Sequence, residues 1–141
     1  MHKIFSKVDP NLLLHVIYEL QDLKNQADTR IDLSDFDEFL QVSTLNLKEG
    51  MKFRAHKHLH KKTDFDSFVA QESWVVITGV VTVSYFDIDD SILLEKEIGP
   101  GGLSLTFRGG HAYRIEKGDS LVIEFKSGPY RGQLADKVFI D

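Results

Sequence analysis

Glu72-Ser73-Trp74-Val75-Val76-Ile77-Thr78-Gly79, with Val81-Thr82-Val83-Ser84-Tyr85-Phe86 one residue further on, is the stretch whose reading decides the fold. Both halves are rich in β-branched and aromatic residues and are split by a Thr-Gly turn signal, which reads as strand, turn, strand. Along a strand successive side chains point to opposite faces, so Glu72, Trp74 and Val76 share one face while Val75 and Ile77 share the other. Neither face suits full solvation, so both need cover. The N-terminal segment is one candidate cover. A second copy of the chain, packed sheet to sheet, is another, and a homodimer is the expectation.

Working outward, the same pattern recurs. Segments 39–47, 51–58, 72–78, 81–86, 92–98, 103–107, 111–115, 120–126 and 137–140 each read as a short strand. Their separators carry turn chemistry: Lys48-Glu49-Gly50, Thr78-Gly79, Asp87 to Ser91, Gly99-Pro-Gly-Gly102, Arg108-Gly-Gly110 and Glu116-Lys-Gly-Asp119. Strands at this spacing predict an all-β domain: a sandwich, jelly roll or barrel. The N-terminus reads differently. Asp9 can cap a helix and Pro10 suits its first position, while Leu13, Ile17 and Leu20, with Leu14, Val16 and Leu23, form an apolar stripe, which together predict a helix near residues 10–25. A chain of 141 residues makes one domain by the usual prior, divided into a helix and connection over 1–38 and a β-barrel over 39–141.

Composition narrows the function. A formal net charge of -5 with no lysine- or arginine-rich run gives no long-range attraction for phosphate backbones or anionic lipid, so neither nucleic acid nor a membrane surface is an expected partner. The absence of cysteine excludes disulfides, thiolate zinc sites and a cysteine nucleophile, so any metal is held by histidine, carboxylate or water. The first residues lack an apolar signal core, and no run approaches the roughly 20 apolar residues that span a bilayer. A cytoplasmic protein is the expectation.

The chemistry-bearing clue is the alternation His56, His58, His60. In an extended strand these three project one way while Lys57 and Leu59 project the other, so two or three imidazoles converge. With one carboxylate and a further histidine from neighbouring strands they would make a nitrogen-oxygen site for one divalent metal such as zinc, nickel, iron or manganese. The bland alternative is a solvated strand face beside Lys52, Arg54 and Lys57.

Taken together, Gly50, five residues, His56, one residue, His58, and later Glu72, six residues, Gly79 resemble the first motif of the cupin superfamily. The spacing departs from that motif in the middle, where the 13 residues from Leu59 to Gln71 replace the usual three or four. A surface-loop insertion absorbs such a difference at small thermodynamic cost. The segment from Gly99 to His111 resembles a reduced second motif, lacking the proline before the histidine and carrying Ile115 where asparagine is usual. The ending from Glu124 to Tyr130 with Asp136-Lys137 resembles small cupins associated with surface-sugar biosynthesis. The resemblance implies a cupin-type jelly-roll β-barrel with an N-terminal helix. It also implies one divalent metal held by His56, His58, Glu72 and His111, and a small polar or sugar-derived substrate.

Tyr113 shares strand parity with His111 and can present a phenol to the same cavity as an acid or base, or simply fill the core. His60 can be an alternative ligand, an acid or base at the pocket mouth, or the start of a loop. His2 and His15 fall outside the barrel and are read as structural or idle. Metal-dependent isomerisation or epimerisation is the leading reaction class. A cupin dioxygenase, a metal-free sugar-nucleotide isomerase or epimerase and a non-catalytic ligand-binding barrel are the other readings, since fold does not dictate function.

Overall fold

The structure is a computed structural model that describes residues 1–24, 28–45, 49, 51–52, 54, 56–58, 68–128, 132, 134 and 136–140. Its elements in chain order are β1 (His2–Phe5), β2 (Leu13–Tyr18), α1 (Leu20–Lys24), β3 (Arg30–Asp32), β4 (Ser43–Leu45), β5 (Glu72–Thr78), β6 (Val81–Phe86), β7 (Ile92–Ile98), β8 (Leu103–Thr106), β9 (Gly110–Arg114) and β10 (Leu121–Lys126). The all-β expectation holds. Strands assemble into three antiparallel sheets: five strands in the order β1-β2-β8-β5-β10, three in the order β7-β6-β9, and the β3-β4 pair. Among the described residues these sheets do not close into a barrel.

The two larger sheets share a core. Ile4, Ile17 and Val76 of the five-stranded sheet pack with Val81, Val83, Tyr85 and Ile98 of the three-stranded one, and Trp74, Leu94 and Tyr113 join from the periphery. On the opposite face of the five-stranded sheet, Val16, Tyr18, Leu103, Leu105 and Phe107 form a second core with Leu33, covered by Ile31, Val42 and Leu23. The Tyr18 hydroxyl donates to the Leu33 carbonyl at 2.9 Å and ties that cover down. The alternation read from the Trp74 strand is thus satisfied on both sides, with a different layer on each.

The hairpin that decided the fold class forms as expected. Gly79 takes the turn between β5 and β6 at φ 80°, a left-handed conformation that glycine adopts freely. A Cβ there would stand 2.6 Å from the Asp119 carbonyl oxygen, so close approach of the next loop also requires the glycine.

The N-terminal helix expected near 10–25 is corrected: only Leu20–Lys24 is helical, and Leu13–Tyr18 is a strand, paired with both β1 and β8. Its buried residues run almost without interruption, so both faces are covered. A short apolar run cannot be assigned to helix or strand by periodicity, and here the β-branched pair Val16-Ile17 and burial on two faces favour the strand. The segment 1–38 therefore contributes two strands to the main sheet, and Leu23, Ile31 and Leu33 later in it cover the outer face of that sheet. Residues 51–52, 54 and 56–58, expected in a strand, carry no strand, and 137–140 are irregular as well. Of the strand expected over 39–47, Ser43–Leu45 is present, paired with β3.

Candidate functional site

Cross-strand register places an unusual row on the inner face of the five-stranded sheet. His15 of β2 stands opposite Thr106 of β8, Thr106 opposite Glu72 of β5, and Glu72 opposite Lys126 of β10. Three ionisable side chains thus line one face of a sheet whose other face is apolar. His111 of β9 reaches this row from the facing sheet. Its Nε2 lies 3.1 Å from Glu72 Oε1, joining two residues 39 apart in sequence across the gap between the sheets. Glu72 is buried. Burial pushes its carboxyl up, but the hydrogen bond and charge of His111, helped by Lys137 and Lys126, outweigh this and hold it below its ordinary range. The carboxylate is ionised at neutral pH.

Because a carboxylate only accepts, His111 Nε2 carries the proton of that bond, which leaves Nδ1 as the open nitrogen. Nδ1 is buried and has no hydrogen-bond partner among the described residues. Tyr113, two residues along the same strand, stacks on Trp74 with centroids 3.8 Å apart and planes within 5°, and its ring lies 5.0 Å from that of His111. Its hydroxyl is likewise buried without a partner among the described residues. Burial, reinforced by the charge of Glu72, drives the phenol far above its ordinary pKa. Tyr113 is therefore a neutral hydrogen-bond donor, not a base.

His15 closes the inner end. Its Nε2 stands 3.0 Å from the Phe86 carbonyl and must be the donor, while Nδ1 accepts from the Thr106 hydroxyl at 3.2 Å. The ring is fully buried, and burial lowers its pKa to about 4, with the nearby His111 adding to the decrease and the Phe86 bond opposing it. Beside it the buried Asp87 accepts from the Ser6 hydroxyl at 2.6 Å and the Lys7 backbone N–H at 2.5 Å, fastening the end of β1 to the β6–β7 turn. At the outer end, Lys126 Nζ donates to Asp136 at 2.7 Å, and Trp74 Nε1 donates to Glu124 at 3.1 Å.

The sequence-derived candidates thus divide into groups. Glu72, His111 and Tyr113 come together between the sheets. His56 and His58 are exposed and lie edge to face with centroids 5.2 Å apart, and His56 Nδ1 donates to the Arg54 carbonyl at 2.9 Å. Among the described residues no group of three or more histidines and carboxylates is gathered closely enough to hold a metal. His60 lies outside the described residues. Sequence reasoning missed His15, Thr106 and Lys126. The signal for His15 was a histidine inside an otherwise apolar run from Leu12 to Tyr18, discounted because the run was read as a helix.

Two ligands each about 2.0–2.2 Å from one ion stand roughly 3.3–3.6 Å apart in a tetrahedral site and roughly 2.8–3.1 Å apart at a right angle, so the 3.1 Å between Glu72 Oε1 and His111 Nε2 suits an octahedral ion as well as the hydrogen bond that joins them. The nitrogen-oxygen chemistry also fits a borderline metal. No helix among the described residues is long and apolar enough to cross a membrane. Comparison with known proteins finds no matching family model, no similar curated protein and no similar solved structure.

Proposed function

We propose that this chain is a cupin-like metal-binding β-protein acting on a small polar or sugar-derived substrate, with Glu72 and His111 as the inner donors of one divalent ion and His56 and His58 completing the set. The observation that carries the reading is the Glu72–His111 contact, a carboxylate and an imidazole from two facing sheets at a spacing one ion can bridge. A bound divalent ion would supply Lewis-acid polarisation of a substrate carbonyl or hydroxyl. Tyr113, kept neutral, holds a proton on its hydroxyl beside that position. The Trp74–Tyr113 stack keeps the ring from turning away.

One observation favours a second reading. Glu72 fixes His111 through Nε2 and leaves Nδ1 buried with no partner among the described residues, the arrangement of an imidazole oriented by a carboxylate for acid–base work. This would be a metal-free acid–base site, with Tyr113 as the donor.

Metal content by plasma mass spectrometry separates the two. About one equivalent of metal in the wild-type protein, absent in the double variant His56→Ala, His58→Ala and in Glu72→Gln, is the expected result. Folded wild-type protein that takes up no zinc, nickel, iron or manganese on reconstitution would overturn the metal reading in favour of the acid–base pair.

A further inference from the structure

We propose that Gln71 is the positioning residue of the Glu72–His111 pair, holding the carboxylate against the imidazole through a chain of bonds that runs by Glu38 to Arg108. The inference rests on reading that pair as a functional site, whether it holds an ion or a proton. Gln71 directly precedes β5, so strand alternation turns its side chain to the outer face of the five-stranded sheet while Glu72 faces inward. It is 5 % exposed, and both ends of its amide are engaged. Oε1 accepts from the Leu40 backbone N–H at 2.6 Å, and Nε2 donates to Glu38 Oε2 at 2.6 Å. The other carboxylate oxygen of Glu38 accepts from Arg108 at 2.8 Å. The Gln71 backbone is fixed as well: its N–H donates to the Ser127 hydroxyl at 2.9 Å, and its carbonyl accepts from the Ser127 N–H at 3.0 Å.

Three parts of the molecule meet at this one residue. Glu38 and Leu40 lie between β3 and β4, in the layer over the outer face, and Ser127 follows β10. Arg108 lies in the β8–β9 connection, where its backbone N–H donates to the Leu14 carbonyl at 3.3 Å. The chain of bonds thus starts one residue before Glu72 and ends three before His111, and it sets the place of both from outside the space between the sheets. An amide is required at 71, because the side chain must accept from Leu40 and donate to Glu38 at once, which a carboxylate cannot do. A carboxylate there would also add a negative charge beside Glu38 and Glu72. The charge of Glu38 is answered by the guanidinium of Arg108. Groups that orient a ligand in this way act on affinity without touching the ion.

Two measurements test this: nuclear magnetic resonance of the histidine rings in metal-free protein at mildly alkaline pH, which reports the tautomer of His111, and zinc affinity by chelator competition. The wild-type protein is expected to hold one tautomer, with the proton on Nε2. In Gln71→Glu, and in Glu38→Gln, which leaves one donor facing another, that tautomer should give way to a mixture and zinc affinity should fall about tenfold. Glu38→Gln carries the test if Gln71→Glu fails to fold. Ile98→Ala, which weakens the core without touching these bonds, should change neither quantity. The double variant Gln71→Glu, Glu38→Gln reverses one bond and again gives every donor an acceptor, so it should restore both. Folded single variants that keep the wild-type tautomer and affinity, or a double variant no closer to wild type than the singles, would overturn the proposal. A wild-type protein that binds no zinc would overturn the metal reading alone, because the tautomer still decides whether Gln71 positions Glu72.

Discussion

The two ends of the space between the large sheets differ in kind. At one end Val76, Val81 and Ile98 fill it with aliphatic side chains, each 1 or 2 % exposed. At the other stand Glu72 of β5, Thr106 of β8 and His15 of β2, met from the facing sheet by His111 and Tyr113 of β9. The aliphatic end stabilises by area removed from water. The polar end, buried at His15, Thr106 and Glu72 and half-buried at His111 and Tyr113, gains nothing comparable, because each ionisable group must recover its lost hydration through a partner. His15 and Glu72 do so fully. His111 Nδ1 and the Tyr113 hydroxyl have no hydrogen-bond partner among the described residues.

The sharpest way to break the contrast is at the aliphatic end. Ile98→Ala should lower unfolding free energy by roughly 2–5 kcal/mol, through lost transfer energy and a residual cavity, as read from a denaturant midpoint. It should leave the Glu72–His111 site intact.

A second probe uses pH. The unfolded His15 ring takes up a proton below about 6.5, whereas the folded ring resists until about 4. Stability is therefore full above pH 6.5 and declines as pH falls from 6.5 to 4, by roughly 3 kcal/mol. His15→Gln, which still offers a donor and an acceptor, should flatten that limb. An unchanged slope in the variant would mean the ring is not held neutral. Asp87 and Glu72 have depressed folded values, so the stability they contribute is present above the ordinary carboxylate range and is lost below it, as pH falls through those lower values.

Smaller in stability but larger in function is Glu72→Gln. The amide still bonds His111, so the protein should lose only about 1 kcal/mol. The charge is gone, however, and with it the carboxylate donor of the proposed ion, so metal content should fall, as plasma mass spectrometry would report. The smallest effect is expected far from both ends. Lys117→Ala removes an exposed pair with Glu97 at 3.4 Å, and the denaturation midpoint should move by no more than about 0.5 kcal/mol equivalent.

How much of this was legible in the sequence varies by element. Segments 81–86 and 92–98 were bounded as observed, because turn residues stand beside them at Gly79, Asp87 to Ser91 and Gly99. β2 was misread because a strand buried on both faces has no period-2 signature to show. Of the four candidate metal ligands, Glu72 and His111 lie within 3.1 Å of each other, across two facing sheets. His56 and His58 were placed on a strand that the described residues do not contain, since a strand requires a neighbour and the sequence does not reveal which edges are free.

Local chemistry thus sufficed for the all-β class, the hairpin at Gly79 and the candidacy of Glu72 and His111. These rest on alternation, turn residues and donor type, which are properties of neighbouring residues. Tertiary structure alone decided that β2 is a strand, that His15 stands in the row with Glu72, and that β10 pairs with β5. Each depends on which strands pair, and pairing across tens of residues is set by how all the apolar faces are buried together.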